Sequence, residues 1–172
     1  KAIDISAGSG AAAKVKVNAT ADISAITLDS DISEIIVASG QVATLSSAQA
    51  VKAVDISAGS GAAAKLKVST TEDLSSLSLD SDISEIIVAS GQVATVTSAQ
   101  ANGQTISGAG GVTVKALAMT ANLASISASG TITANIAATG DYSANTNIAT
   151  VDAFVVASGQ VATLSAAQGS KA

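Results

Sequence analysis

Sliding the chain against itself by 51 residues lays Lys52–Ala101 over Lys1–Ala50 with 39 of 50 positions identical. One stretch, VASGQVATLS, stands at Val37–Ser46 and at Val156–Ser165, and a variant, VASGQVATVT, stands at Val88–Thr97. A catalytic centre needs its parts once. A unit that cannot bury its own apolar face needs neighbours of its own kind, and a repeat of this length is the mark of a stacked architecture. Five of the eleven differences between the first two repeats swap one aliphatic for another: Ile3/Val54, Val15/Leu66, Ile23/Leu74, Ile26/Leu77 and Leu45/Val96. The other six, among them Asn18/Ser69, Ala21/Glu72 and Thr27/Ser78, involve small or polar residues. Positions that change only within the aliphatic class are the ones expected to face a core.

Within a repeat the apolar residues come in short bursts: Ile23–Leu28, Ile32–Val37, Val42–Leu45 and Val51–Ile56. Asp-Ser, Ser-Gly and Ala-Gln pairs punctuate them. Each burst is too short for a helix and rich in β-branched residues, so strands are expected. KVKV at Lys14–Val17 and KLKV at Lys65–Val68 alternate strictly, which sends lysines outward and aliphatics inward. The glycine of each ASGQ is placed to supply a corner conformation that a Cβ resists. The third repeat diverges, and its VASGQ comes 68 residues after Val88, a surplus of 17 over the first spacing. A whole extra coil accounts for such a surplus without disturbing the layers around it. The expected fold is therefore all-β, a parallel β-solenoid of short strands with roughly 17–19 residues per coil. Three coils fall to each of the first two repeats and four to the last. One repeat domain, 1–172, divides into 1–51, 52–101 and a divergent 102–172 carrying the extra coil. The competing fold, an antiparallel sandwich or tandem Ig-like pair, sits badly with a chain lacking Pro and Trp.

Composition narrows the chemistry. The chain has no Cys, His or Arg, and aromatic residues are 1%. Disulfides, thiol nucleophiles and cysteine-ligated metals are excluded, and the usual neutral-pH base is missing. The core must be built from Val, Ile, Leu and Ala. Apolar residues at 48% against 12% charged are far from the disordered range. A net charge of −5 argues against a nucleic-acid partner, and no apolar run is long enough for membrane insertion by a helix. The chain opens on Lys1 instead of Met, which reads as a piece of a longer, processed product.

Segments such as DLSSLSLDSDISEIIVASGQVATVTSAQ and TISGAGGVTVKALAMTANLASISASGTITANIAATGD resemble the Ser/Thr/Ala/Val-rich repeats of very large exported bacterial surface proteins, adhesin-like and S-layer-like chains among them. The resemblance covers essentially the whole chain and rests on composition. It implies a non-catalytic structural role outside the cell or at its surface. The calcium nonapeptide of β-roll toxins is absent, so calcium-dependent folding does not carry over.

The candidate chemistry is sparse. LDSDISE at Leu28–Glu34 and Leu79–Glu85 gathers Asp29, Asp31 and Glu34, and Asp80, Asp82 and Glu85, carboxylates of the kind that hold calcium. The plain alternative is a solvated acidic corner. Gly8-Ser-Gly10-Ala-Ala-Ala13, repeated at Gly59–Ala64, is a loose dinucleotide fingerprint without room for the helix that the motif requires; turn glycines explain it better. Lys14, Lys16, Lys65 and Lys67 beside serines evoke a Ser–Lys dyad, but alternation points them to solvent, where the amine stays protonated. Asn18-Ala-Thr20 is a formal glycosylation sequon. Thr131–Thr133 is a lone Thr-x-Thr, far from the sustained array that an ice- or glycan-binding face uses. The expectation is a structural module that partners itself, head-to-tail or laterally, into a filament or surface layer. It needs no cofactor, with calcium as the one candidate. A lateral-face binder of glycan, ice or calcium is the alternative.

Overall fold

In a computed structural model the described residues are 12–51 and 55–171. They form an all-β, mostly parallel β-solenoid with three four-residue helices. The chain divides into two compact units, Lys1–Lys67 with Leu77–Glu85, and Val68–Ser76 with Ile86–Ala172.

In the first unit β1 (Ala13–Val17), β3 (Ile32–Val37) and β5 (Asp55–Ala58) make one parallel sheet in that order. The strands β2 (Ala21–Asp22), β4 (Val42–Leu45) and β6 (Ala63–Val68) stack beside one another on a second side. Between β2 and β3 the third side is a run of turns. Between β4 and β5 it is completed by α1 (Ser47–Ala50). The register gives the coil length directly. Val17 pairs with Val37, Ile35 with Ile56, Ala43 with Ala64 and Ala21 with Ala43, offsets of 20 to 22 residues.

The second unit carries β7 (Glu72–Asp73), β9 (Val93–Thr97), β11 (Gly111–Lys115), β12 (Ile132–Ile136) and β14 (Ala153–Val156) as one parallel sheet. A second, smaller sheet pairs β13 (Gly140–Asp141) with β15 (Ala162–Thr163). The helices α2 (Ser98–Ala101) and α3 (Ala166–Gly169) and a 3-10 turn at Thr146–Ile148 round the corners. Two further strands, β8 (Ile83–Val88) and β10 (Thr105–Gly108), complete the described elements. Offsets in this unit run from 18, for Val93 with Gly111, through 20, for Val112 with Ile132, to 22, for Gly140 with Ala162.

These offsets correct the expected coil of 17–19 residues. Most coils take 20–22, the described chain makes about seven turns, and a 51-residue repeat holds two turns and part of a third. The repeat is therefore out of phase with the coil. β6 is the sequence counterpart of β1 at a shift of 51, yet β1 lies in the β3–β5 sheet and β6 on the β2–β4 side. Each new repeat moves on by one side.

The interior has the small-aliphatic character that the composition demands. Ile35, Leu45 and Leu66 in the first unit, and Ile86, Val96, Val114 and Ile136 in the second, are fully buried. In β6 the alternation is as expected, with Ala64, Leu66 and Val68 buried between partly exposed lysines. The ASGQ glycines take left-handed backbone at the corners, with φ of 72° at Gly40, 73° at Gly91 and 77° at Gly159. Gly110 and Gly130 serve a different need: a Cβ on Gly130 would lie 2.5 Å from the carbonyl carbon of Gly110, so only glycine lets these two backbones stack.

Candidate functional site

The acidic corners are occupied with structural work. In the first, Asp29 Oδ1 accepts from the Asp31 N–H at 2.9 Å. Glu34 pairs with the Lys14 ammonium at 2.5 Å and accepts from the Ser57 hydroxyl one coil on, at 2.7 Å. The bond from Lys14, then that from Ser57, holds the Glu34 carboxyl below its usual range. In the second, Asp80 accepts from the Asp82 N–H at 2.9 Å and from the buried Ile56 N–H at 3.2 Å, while Asp82 accepts from the Ala58 N–H at 3.0 Å. Asp80 is 9% exposed. Glu85 pairs with Lys65 at 2.7 Å. These carboxylates complete the ladder of strand β5, whose N–H groups at Ile56 and Ala58 point at them. Among the described residues no three acidic side chains converge as metal ligands.

The remaining sequence motifs resolve in the same way. Gly8 and Gly10 lie outside the described residues. Their counterpart, Gly59–Ala64, is a tight turn closed by the Ala62 N–H on the Gly59 carbonyl, and it leads into β6 and not into a helix. Lys67, like Lys14 and Lys65, is committed to a carboxylate. Thr20 of the sequon accepts from the Val42 N–H at 3.1 Å. Ile132, at the centre of Thr131–Thr133, is buried in β12.

Sequence reasoning passed over the residues that matter most to the stack, having read them as punctuation. A glutamine near each short helix ties successive coils together. Gln49 Nε2 donates to the Ile23 and Ile26 carbonyls at 3.1 and 2.6 Å, and its Oε1 accepts from the Ser46 N–H at 2.8 Å. Gln168 does the same with Tyr142, Asn145 and Ser165, and Gln100 with Leu74 and Thr97. For α2 and α3 the reciprocal arm is present too: the Thr97 and Ser165 hydroxyls accept from the glutamine N–H, completing a capping box. Each four-residue helix aims a glutamine at carbonyls of the turn one coil beneath, among them those of Ile23 and Tyr142, which also accept from the Ile26 and Asn145 N–H groups. At the other corner Gln41, Gln92 and Gln160 each accept from a threonine 21 residues earlier, Thr20, Thr71 and Thr139. No buried side-chain nitrogen or oxygen among the described residues lacks a partner. The signal was available: these residues recur in all three repeats, divergent third included.

A third recurring element carries charge. Asp22, Asp73 and Asp141 each close an Asx turn by accepting from the N–H two residues on, at Ser24, Ser75 and Ser143. Two coils later a lysine reaches back: Lys67 to Asp22 at 2.7 Å and Lys115 to Asp73 at 2.6 Å. The lysine bond, followed by the serine bonds, lowers both aspartates to about 2. Asp141 is lowered by its Ser143 bonds. The clefts offer little beyond this. One in the second unit is lined by Ser143, Ile148, Phe154, Ser165 and Lys171; the Ser143 hydroxyl donates to Asp141, the Ser165 hydroxyl accepts from the Gln168 N–H, and Lys171 donates to the Ala149 carbonyl.

Coils that repeat one set of caps, corners and charge pairs define a β-solenoid repeat protein. No family model, curated protein or solved structure matches this chain.

Proposed function

We propose that the chain is a non-catalytic structural module of an extracellular bacterial surface protein that builds a filament or layer by joining to itself. The observation that carries this reading is that each coil buries apolar positions of the one before it through parallel strand pairing. Val155, Val156 and Val161 are 52%, 41% and 65% exposed. Their counterparts one or two repeats earlier, Ile36, Val37 and Val42, are half-buried or buried, because another coil lies over them. A parallel coil edge with apolar positions and unpaired backbone groups is a template for the next strand, whichever molecule supplies it. Heterologous joining of this kind need not close, so it leads to fibres or layers. The engaged carboxylates and lysines, together with the sparse clefts, support a role without catalysis. The acidic balance argues against nucleic acid, and the surface-protein setting rests on the resemblance of the repeats.

The test is electron microscopy of the purified chain across a concentration series, with sedimentation velocity on the same samples. Fibres or sheets that lengthen with concentration support the proposal. Single particles of constant mass at every concentration refute it.

A further inference from the structure

ANGQ at Ala101–Gln104 contains the only Asn-Gly step in the chain. Asparagine is a chemically labile residue. Its side-chain amide carbon lies within reach of the next backbone nitrogen, which can close a five-membered ring on it. Glycine, having no Cβ, leaves that nitrogen uncrowded. Asn102 and Gly103 are both exposed, so water has access to them. The fold nevertheless keeps the two reacting groups apart.

Asn102 follows α2 with ψ of 104°. Ring closure needs the Gly103 nitrogen eclipsed with the Asn102 Cβ across the Cα–C bond, and this ψ places it on the far side. Both groups are also held by one residue a coil later. Asn102 Oδ1 accepts from the Asn122 N–H at 2.7 Å, and the Gly103 N–H donates to the Asn122 carbonyl at 2.8 Å. Asn122 is fixed in turn: its side chain accepts from the Ala124 N–H at 3.1 Å, and the next residue, Leu123, is fully buried.

We infer that Asn102–Gly103 is a self-modification site, shut while Asn122 lies against it and open when these two coils part. On opening, the Gly103 nitrogen bonds to Asn102 Cγ and the bond from Cγ to the side-chain nitrogen breaks. The proton of the Gly103 N–H leaves with that nitrogen as ammonia. Water then opens the ring and returns a proton to Gly103. Attack at Cγ gives aspartate, whose Oδ1 still accepts from the Asn122 N–H. Attack at the backbone carbonyl gives isoaspartate, whose main chain runs through Cβ and Cγ. That path is one atom longer, so Gly103 no longer meets the Asn122 carbonyl in register. A parting of these coils is thereby recorded in the covalent chain and opposes their closing again.

The test ages the full chain in mildly alkaline buffer, folded and in urea, and follows the Asn102 peptide by mass spectrometry, with aspartate and isoaspartate separated by chromatography. Conversion is about a hundredfold or more slower in the folded protein, the protection given by a joint that opens only through local unfolding. Asn102→Asp melts within about 2 °C of the parent, whereas the isoaspartate fraction, refolded from urea, melts about 5 °C or more below it. Equal conversion in the two states, or no conversion in urea, refutes the site. An isoaspartate fraction that melts with the parent refutes the barrier to closing. An Asn102→Asp protein that melts as low as the isoaspartate fraction refutes the distinction between the two products.

Discussion

Replacing Gln49 with Met keeps the length and roughly the volume of a side chain only 3% exposed, and deletes three hydrogen bonds. The Ile26 carbonyl and the Ser46 N–H then lose their glutamine partner, and the Ile23 carbonyl keeps only the Ile26 N–H. At about 1 kcal/mol net for each bond the loss is about 3 kcal/mol, and for a chain of this size that lowers the melting temperature by about 6–12 °C. The internal control is Gln41→Met. Gln41 sits at a partly exposed corner, and the Thr20 groups that it accepts from can turn to water, so the cost stays below about 1 kcal/mol. Thermal and urea unfolding followed by far-ultraviolet circular dichroism measures both. A Gln49→Met protein melting within about 1 °C of the parent, or no lower than Gln41→Met, refutes the claim that these glutamines bind one coil to the next.

The acid response follows from the Asp–Lys pairs. Because Asp22 and Asp73 are held near 2, below their usual 3.8, they bind fewer protons folded than unfolded. Their contribution is complete above about pH 4 and is lost as pH falls towards about 2, so the melting temperature drops across that window. The Asp22→Asn/Asp73→Asn variant has a shallower drop, and an unchanged pH profile contradicts the assignment. Asp80→Ala strands the buried Ile56 N–H and costs about 1–3 kcal/mol, measured by urea unfolding, to the same extent with calcium or with chelator; a loss that appears only when calcium is present overturns the structural role.

Much of the architecture was legible because it is written in aliphatic positions. The Ile/Val/Leu exchanges between repeats marked buried sites such as Leu45 and Leu66, but not Ile26, which is 55% exposed; the lysine alternation marked the outward face of β6, and the ASGQ glycines marked corners. Coil length was misjudged for a physical reason. One side of each turn in the first unit is built from turns and a short helix, so the Ile23–Leu28 burst, expected as a strand, falls on turns, and pairings around the extra segment take 20–22 residues, not 17. The glutamine and threonine contacts were hidden because they join groups 21–26 residues apart, and the aspartate–lysine pairs because theirs lie 42–45 apart. Composition treats such residues as loop filler, and only the three-dimensional offset reveals the donor or acceptor that each one meets.

The mismatch between repeat and coil bears on how such a chain can grow. Its interchangeable building block is a side, running from corner to corner, so a gene can gain or lose segments that are not whole turns. Any tandem copying that starts and stops at corners keeps its greasy residues inward, because every wall accepts the same kind of strand. Lengthening by recombination is thus freed from the helical pitch, and neighbouring layers need not be twins to fit.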